Sequence, residues 1–194
     1  MRYNPEQKLA TKNKMLKAAH RGFRRQGYDG AGVDGLAKEA GVTSGAFYKH
    51  FGSKAVAFRE SVQLGVSEFQ AAVEMYQKEY GDSWLEEFAA FYLGEKRCSE
   101  LGNSCALQSL TPEVTRSDAD TRLAFQSALL KAVQAFAGGL PTDRGRSRTD
   151  QAWSNIALLI GGVTLARAVQ ESGLADEIAE AVLGAISRMP DGKA

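Results

Sequence analysis

The stretch Gly32-Val33-Asp34-Gly35-Leu36-Ala37-Lys38-Glu39-Ala40-Gly41-Val42-Thr43-Ser44-Gly45-Ala46-Phe47-Tyr48-Lys49-His50-Phe51-Gly52-Ser53-Lys54 decides the fold. Val33, Leu36, Ala37 and Ala40 recur at helical spacing and predict a helix over 33–40, which Gly41 stops. Thr43 then stands as the N-cap of a second helix over 44–51. Two short helices joined by about three residues including a glycine have the layout of a helix-turn-helix. At about 100° per residue, Phe47 and Phe51 share one side of the second helix, Gly45 and Lys49 the opposite side, and Ala46 and Tyr48 the flanks. An apolar anchor behind Gly, Ala, Lys and Tyr suits a helix pressed into a DNA major groove. Small residues allow close approach, and cationic and hydroxyl groups reach phosphates or base edges. The alternative is a small amphipathic helix in a corner of the core.

Charge follows the same division. Of 194 residues, the first 60 hold 12 Lys and Arg against 5 Asp and Glu, a net +7; the remaining 134 hold 12 against 18, a net −6. A basic head on an acidic body points to a polyanionic partner. With 44% hydrophobic and 24% charged residues, disorder and fibrous classes are excluded. No apolar run approaches the roughly 20 residues that cross a bilayer, and the opening MRYNPEQK lacks the apolar core of a secretory signal, so the cytoplasm is the expected compartment and no membrane partner is expected. Cys98, Cys105, His20 and His50 match no structural zinc spacing, and neither a metal nor a cofactor is expected.

Working outward, four prolines and an abundance of Ala, Leu, Glu, Gln and Lys predict an all-α protein. The first helix opens at Asn4-Pro5-Glu6-Gln7, with Asn4 as cap, and ends at Gly27. Its apolar stripe is Leu9, Leu16, Ala19 and Phe23. A long helix starts at Ser53 and carries Phe58, Val62, Phe69, Val73 and Tyr76 as far as the break at Gly81-Asp82-Ser83. The segment 84–97 adds a stripe of Trp84, Leu85, Phe88, Phe91 and Tyr92. Leu101-Gly102-Asn103-Ser104 reads as a loop into a helix near Cys105. Another helix covers 118–137, and the arginine-bearing 138–148 is a solvated loop. The last two helices, 150–172 and 174–189, are joined at Gly173.

The quoted stretch resembles the DNA-binding head of TetR-family transcriptional regulators, with the resemblance strongest over about residues 10–60. It implies a three-helix head, a long fourth helix leading to a helical body, and a two-fold dimer. The expected division is a DNA-binding domain over 1–52 and a ligand-binding and dimerisation domain over 53–194. Carried over by position, Ser44, Gly45 and Lys49 face the major groove, and Thr43, Tyr48, His50 and Lys54 lie near the DNA backbone. His50 has a second reading as a helix residue bonded to its surroundings. Gly32 departs from the family pattern, in which Ser or Thr often caps the second helix. Asp34 also departs, at a position where some members carry a basic or polar DNA contact; in the first turn it suits the helix dipole.

The family's body helices enclose a ligand cavity, which makes Tyr76, Trp84, Phe88, Tyr92 and Phe125 candidate lining residues, although aromatic stripes are as readily core. A thiol in a helix's first turn faces exposed backbone N–H groups that lower its pKa. The region resembles the electrophile-sensing family members of the N-ethylmaleimide reductase repressor type, in which a cysteine precedes a short helix ending in Glu-Val, here Glu113-Val114. That resemblance points to Cys105; a small buried hydrophobe is the alternative. For the last two helices, the TetR-family resemblance implies a four-helix interface between two subunits, with Trp153, Ile156, Ile160, Val163, Leu174, Ile178 and Val182 as interface residues; the alternative is an intramolecular core, with Gly161-Gly162 allowing close approach. The expected function is a dimeric regulator, a repressor that releases a palindromic double-stranded DNA operator when a small-molecule inducer or electrophile acts on the body. The alternative class is a small helical enzyme or a protein-interaction adaptor using the C-terminal cavity. No catalytic arrangement of nucleophile, base and carboxylate is visible, so no enzyme is expected.

Overall fold

A computed structural model describes residues 5–142 and 145–188. Asn4 as the first cap, Asp143 and Arg144 of the loop, and Met189 at the end of the last helix lie outside the described residues. Among the described residues the chain is helical throughout: α1 (Pro5–Gly30), α2 (Val33–Ala40), α3 (Ser44–Phe51), α4 (Lys54–Tyr80), α5 (Trp84–Leu93), α6 (Glu95–Cys98), α7 (Ala106–Thr115), α8 (Ala119–Gly138), α9 (Arg148–Ala168) and α10 (Ser172–Ser187). Short 3-10 turns occupy Gly81–Ser83 and Leu101–Asn103. None of the helices is long and apolar enough to cross a membrane.

Packing divides the chain into two compact units, residues 1–66 with 100–127, and residues 67–99 with 128–194. The compact units therefore do not follow the expected cut after residue 52. The segment 100–127, read from sequence as part of the body, belongs to the same unit as the helix-turn-helix.

In the first unit, α1 buries Met15, Ala18, Ala19 and Phe23 against Leu36, Ala37 and Ala40 of α2, Phe47 and Phe51 of α3, and Phe58 and Val62 of α4. Ala106, Leu110 and Val114 of α7 complete this core. Leu9, expected on the inner stripe, is 60% exposed, because the buried face of α1 begins only at Met15. Helical geometry in α1 breaks at Gly27, whose φ of 69° is left-handed and costs a glycine little. Gly41 closes α2 in the same left-handed region (φ 69°), its N–H donating back to the last turn. Two further glycines act through their missing side chains. A Cβ on Gly22 would stand 2.2 Å from Leu36 Cδ2, and one on Gly65 would stand 2.1 Å from Ala106 Cβ and 2.7 Å from His20 Cε1. Arg24 Nη1 donates to the Ser104 carbonyl at 2.7 Å, tying α1 to the turn before α7.

The second unit is built on a continuous aromatic cluster. Phe88 lies 5.3 Å from Tyr76, 5.6 Å from Tyr92 and 5.7 Å from Phe69 between ring centroids, and Trp84 lies 4.8 Å from Phe136. The Trp84 indole N–H donates to the Gly139 carbonyl at 2.8 Å. Two expectations are corrected here. The stripe over 84–97 is not one helix: α5 stops at Leu93, and Gly94 (φ −94°, ψ −99°) turns the chain into the short α6. The last two helices are not joined at Gly173. α9 ends at Ala168, Val169 and Glu171 are extended, and Gly173 sits in the first turn of α10. Arg167 stabilises this corner by donating to the Ser99 carbonyl at 2.9 Å and to the Arg97 carbonyl.

Candidate nucleic-acid interface

The helix-turn-helix is set by local signals. The Thr43 hydroxyl oxygen accepts from the Ala46 N–H at 3.2 Å, starting α3 where its sequence expects. The rings of Phe47 and Phe51 lie 4.8 Å apart and both are buried, which fixes the rotation of α3 about its axis. Gly45, Tyr48 and Lys49 are then exposed, Ser44 and His50 half-exposed. Of the site residues predicted from α3, Gly45, Tyr48 and Lys49 share the outward surface, Ser44 and His50 lie at its half-exposed edges, and Thr43 precedes it.

Ser44 is not free on that surface. Its hydroxyl donates to a carboxylate oxygen of Asp34 in the first turn of α2. Gly32 leaves α2 without a side-chain cap, as its sequence implied. His50 faces a cationic neighbourhood. Partial burial, followed by the charges of Lys8, Lys49 and Lys12, holds its imidazole below its ordinary value of 6.5, so at pH 7 the ring is mostly neutral. Lys54 opens α4 behind the Ser53 cap, whose hydroxyl accepts from the Val56 N–H at 3.1 Å. Its ammonium lies 4.6 Å from the centroid of the Tyr28 ring. Tyr28 in turn contacts Phe23 and Phe58, and burial, with Asp118 and Asp29 nearby, raises its phenol pKa. The role of Tyr28 as a seat for Lys54 was not visible in the sequence, since it depends on the break at Gly27 that redirects the chain.

Several basic side chains of the head are engaged by carboxylates. Lys12 pairs with Glu60 at 2.9 Å, Arg21 and Arg25 share Glu39, and Arg59 reaches Asp120 at 3.1 Å.

The predicted sensing residues separate into two groups. Cys105 is the N-cap of α7 rather than part of its first turn, and it is buried in the first unit. Phe125 packs against the core of that same unit. Tyr76, Trp84, Phe88 and Tyr92 instead belong to the aromatic cluster of the second unit. Cys98 is exposed. The residues proposed for an interface are also divided. Ile156 and Val163 are buried within the protomer, Ile160, Ile178 and Val182 are half-buried, and Trp153 and Leu174 are exposed. Gly162 permits the close packing of α9, because a Cβ there would meet Val182 Cγ2 at 3.0 Å and Leu93 Cδ2 at 3.1 Å. No such neighbour faces Gly161.

Residues 15–60 match the family model described as bacterial regulatory proteins, tetR family. No curated protein matches the chain in sequence. Among solved structures, E. coli NemR in its reduced form is similar at 19% identity, with a TM-score of 0.77 over 93% of this chain and 97% of that one. A TetR-family regulator from Agrobacterium tumefaciens gives 16% identity and 0.75 over 92% and 98%. FadR from Bacillus subtilis, in complex with stearoyl-CoA, gives 17% and 0.65 over 88% and 97%. The tetR-family match is thus confined to the helix-turn-helix head, residues 15–60, and the fold of the chain is similar to that of solved TetR-family transcriptional regulators.

Proposed function

We propose that this protein is a dimeric, ligand-responsive repressor that holds a palindromic operator and releases it when a small molecule or electrophile acts outside the helix-turn-helix. The observation that carries the DNA-binding part is the rotation of α3, with Phe47 and Phe51 buried and Gly45, Tyr48 and Lys49 turned outward. Two such helices about one DNA turn apart read a palindrome, and a change in their separation prevents simultaneous docking. The exposed Trp153 and Leu174 on α9 and α10 support those helices as the pairing surface. A ligand needs about 1.4 kcal/mol of preference for the non-binding form to weaken operator affinity tenfold.

Two kinds of effector fit. The aromatic cluster around Phe88 suits an apolar ligand, and the FadR neighbour holds stearoyl-CoA. Cys105 suits an electrophile, and adduct formation there has to loosen the α7 N-terminus, because the thiol is only 6% exposed.

Fluorescence anisotropy with DNA from upstream of the gene tests the reading. Lys54→Ala is expected to weaken binding to every sequence and to lower the salt slope by about one per half-site, as loss of one phosphate contact requires. Lys49→Ala is expected to change sequence preference instead. Unaltered binding by both variants would remove the head assignment. In the same assay a thiol-reactive electrophile is expected to release the parent protein and Cys98→Ser, but not Cys105→Ser. Retention of DNA by all three would leave the apolar ligand as the effector.

A further inference from the structure

The hydrogen bond between Ser44 and Asp34 joins the first residue of α3 to the first turn of α2 and leaves an exposed carboxylate beside the outward face of α3. On a surface meant for DNA this is a costly residue, because each phosphate oxygen and most groove atoms repel it. An ionised carboxylate only accepts hydrogen bonds, and one of its oxygens already accepts from the Ser44 hydroxyl. Its other oxygen, open to water in the free protein, needs a donor once docking on DNA displaces that water. In the major groove, guanine offers the acceptors N7 and O6, thymine the acceptor O4 and a methyl group, and adenine an amino donor flanked by the acceptor N7. Cytosine presents its N4 amino group without an adjoining major-groove acceptor of its own.

Resting on the DNA-binding reading above, we propose that Asp34, held by Ser44 at the leading end of α3, is a specificity residue that selects cytosine at one position of each operator half-site. N-terminal residues of a recognition helix are the ones that reach base edges, and the bond to Ser44 brings Asp34 alongside them. Ser44 is the positioning residue. With its proton committed to Asp34, it aims the carboxylate instead of reading a base by donation.

Selection of duplexes from a random pool by the full-length protein, followed by affinities for all four bases at each half-site position, tests the assignment. The parent is expected to prefer cytosine at one position by about tenfold. Asp34→Ala should level the four bases at that position to within about twofold. Asp34→Asn, which can pair with the N6 and N7 edge of adenine, should shift the preference toward adenine. Ser44→Ala should reduce the cytosine preference without creating another. Because these are base preferences within one variant, a change in stability alone does not reproduce them. Identical base profiles for the parent, Asp34→Ala and Asp34→Asn would overturn the assignment while leaving DNA binding intact. A parent that selects no sequence would overturn the DNA-binding reading and this assignment with it.

Discussion

Phe47→Ala is expected to lower the stability of the helix-turn-helix unit by about 3–5 kcal/mol, the usual cost of emptying a buried phenylalanine site. The ring is fully buried and lies 4.8 Å from Phe51 and 6.2 Å from Tyr48 between centroids. With only eight residues, α3 has little intrinsic stability, so its place depends on this anchor more than on helix propensity. Against a typical domain stability of about 5–15 kcal/mol, the loss is a large fraction of the total. Urea unfolding and amide exchange within α3 measure it. Exchange in α3 should accelerate at least as much as in the rest of the unit, and a loss below about 1 kcal/mol would mean that α3 is held by something other than its two phenylalanines.

Gly65→Ala sets two effects in opposition. In the interior of a helix, alanine is favoured over glycine by about 1 kcal/mol. Here the added methyl would stand 2.1 Å from Ala106 Cβ and 2.7 Å from the His20 ring, both closer than carbon atoms tolerate. Neither neighbour yields cheaply, since Ala106 Cβ is fixed to the backbone of α7 and His20 is buried at 2% exposure. Overpacking of this kind costs about 1–3 kcal/mol, and the contact with backbone-fixed atoms puts this site near the upper end. A net loss of about 2 kcal/mol is expected, read as a lower urea midpoint with an unchanged slope. A stabilised variant would show that α4 and α7 are not in contact there. Gly22 offers a contrast. Its obstructing atom is Leu36 Cδ2, the end of a side chain that can change rotamer.

The elements governed by neighbours in sequence were legible from the chain alone. Val33–Ala40 and Ser44–Phe51 fall where their apolar spacing and the Thr43 and Gly41 caps put them, and Ser53 begins α4 as expected. The contacts that cross long stretches of sequence were not. The bond from Arg24 to the Ser104 carbonyl spans 80 residues, and with the Gly65 contact it draws 100–127 into the first unit. Apolar periodicity carries no record of which helix meets which. The burial of Cys105 follows from that packing, as does the separation of Phe125 from the other aromatic candidates. Gly94 shows another limit. A glycine inside an apolar stripe is compatible with a continuous helix, and only the backbone angles reveal the break. Asp34 looked local, but its partner Ser44 lies across the turn, ten residues on.

If the proposed DNA-binding function holds, the carboxylates that engage Lys12, Arg21, Arg25 and Arg59 also bear on how the protein searches a chromosome. Sequence-independent attraction grows with the number of cations available to displace counterions from phosphates. Glu39, Glu60 and Asp120 engage part of that number within the fold, so fewer cations than the 12 Lys and Arg of the first 60 residues are open to random DNA. On the DNA-binding reading proposed above, residence on wrong sequences is expected to be short, and discrimination to fall to the few side chains at the front of α3.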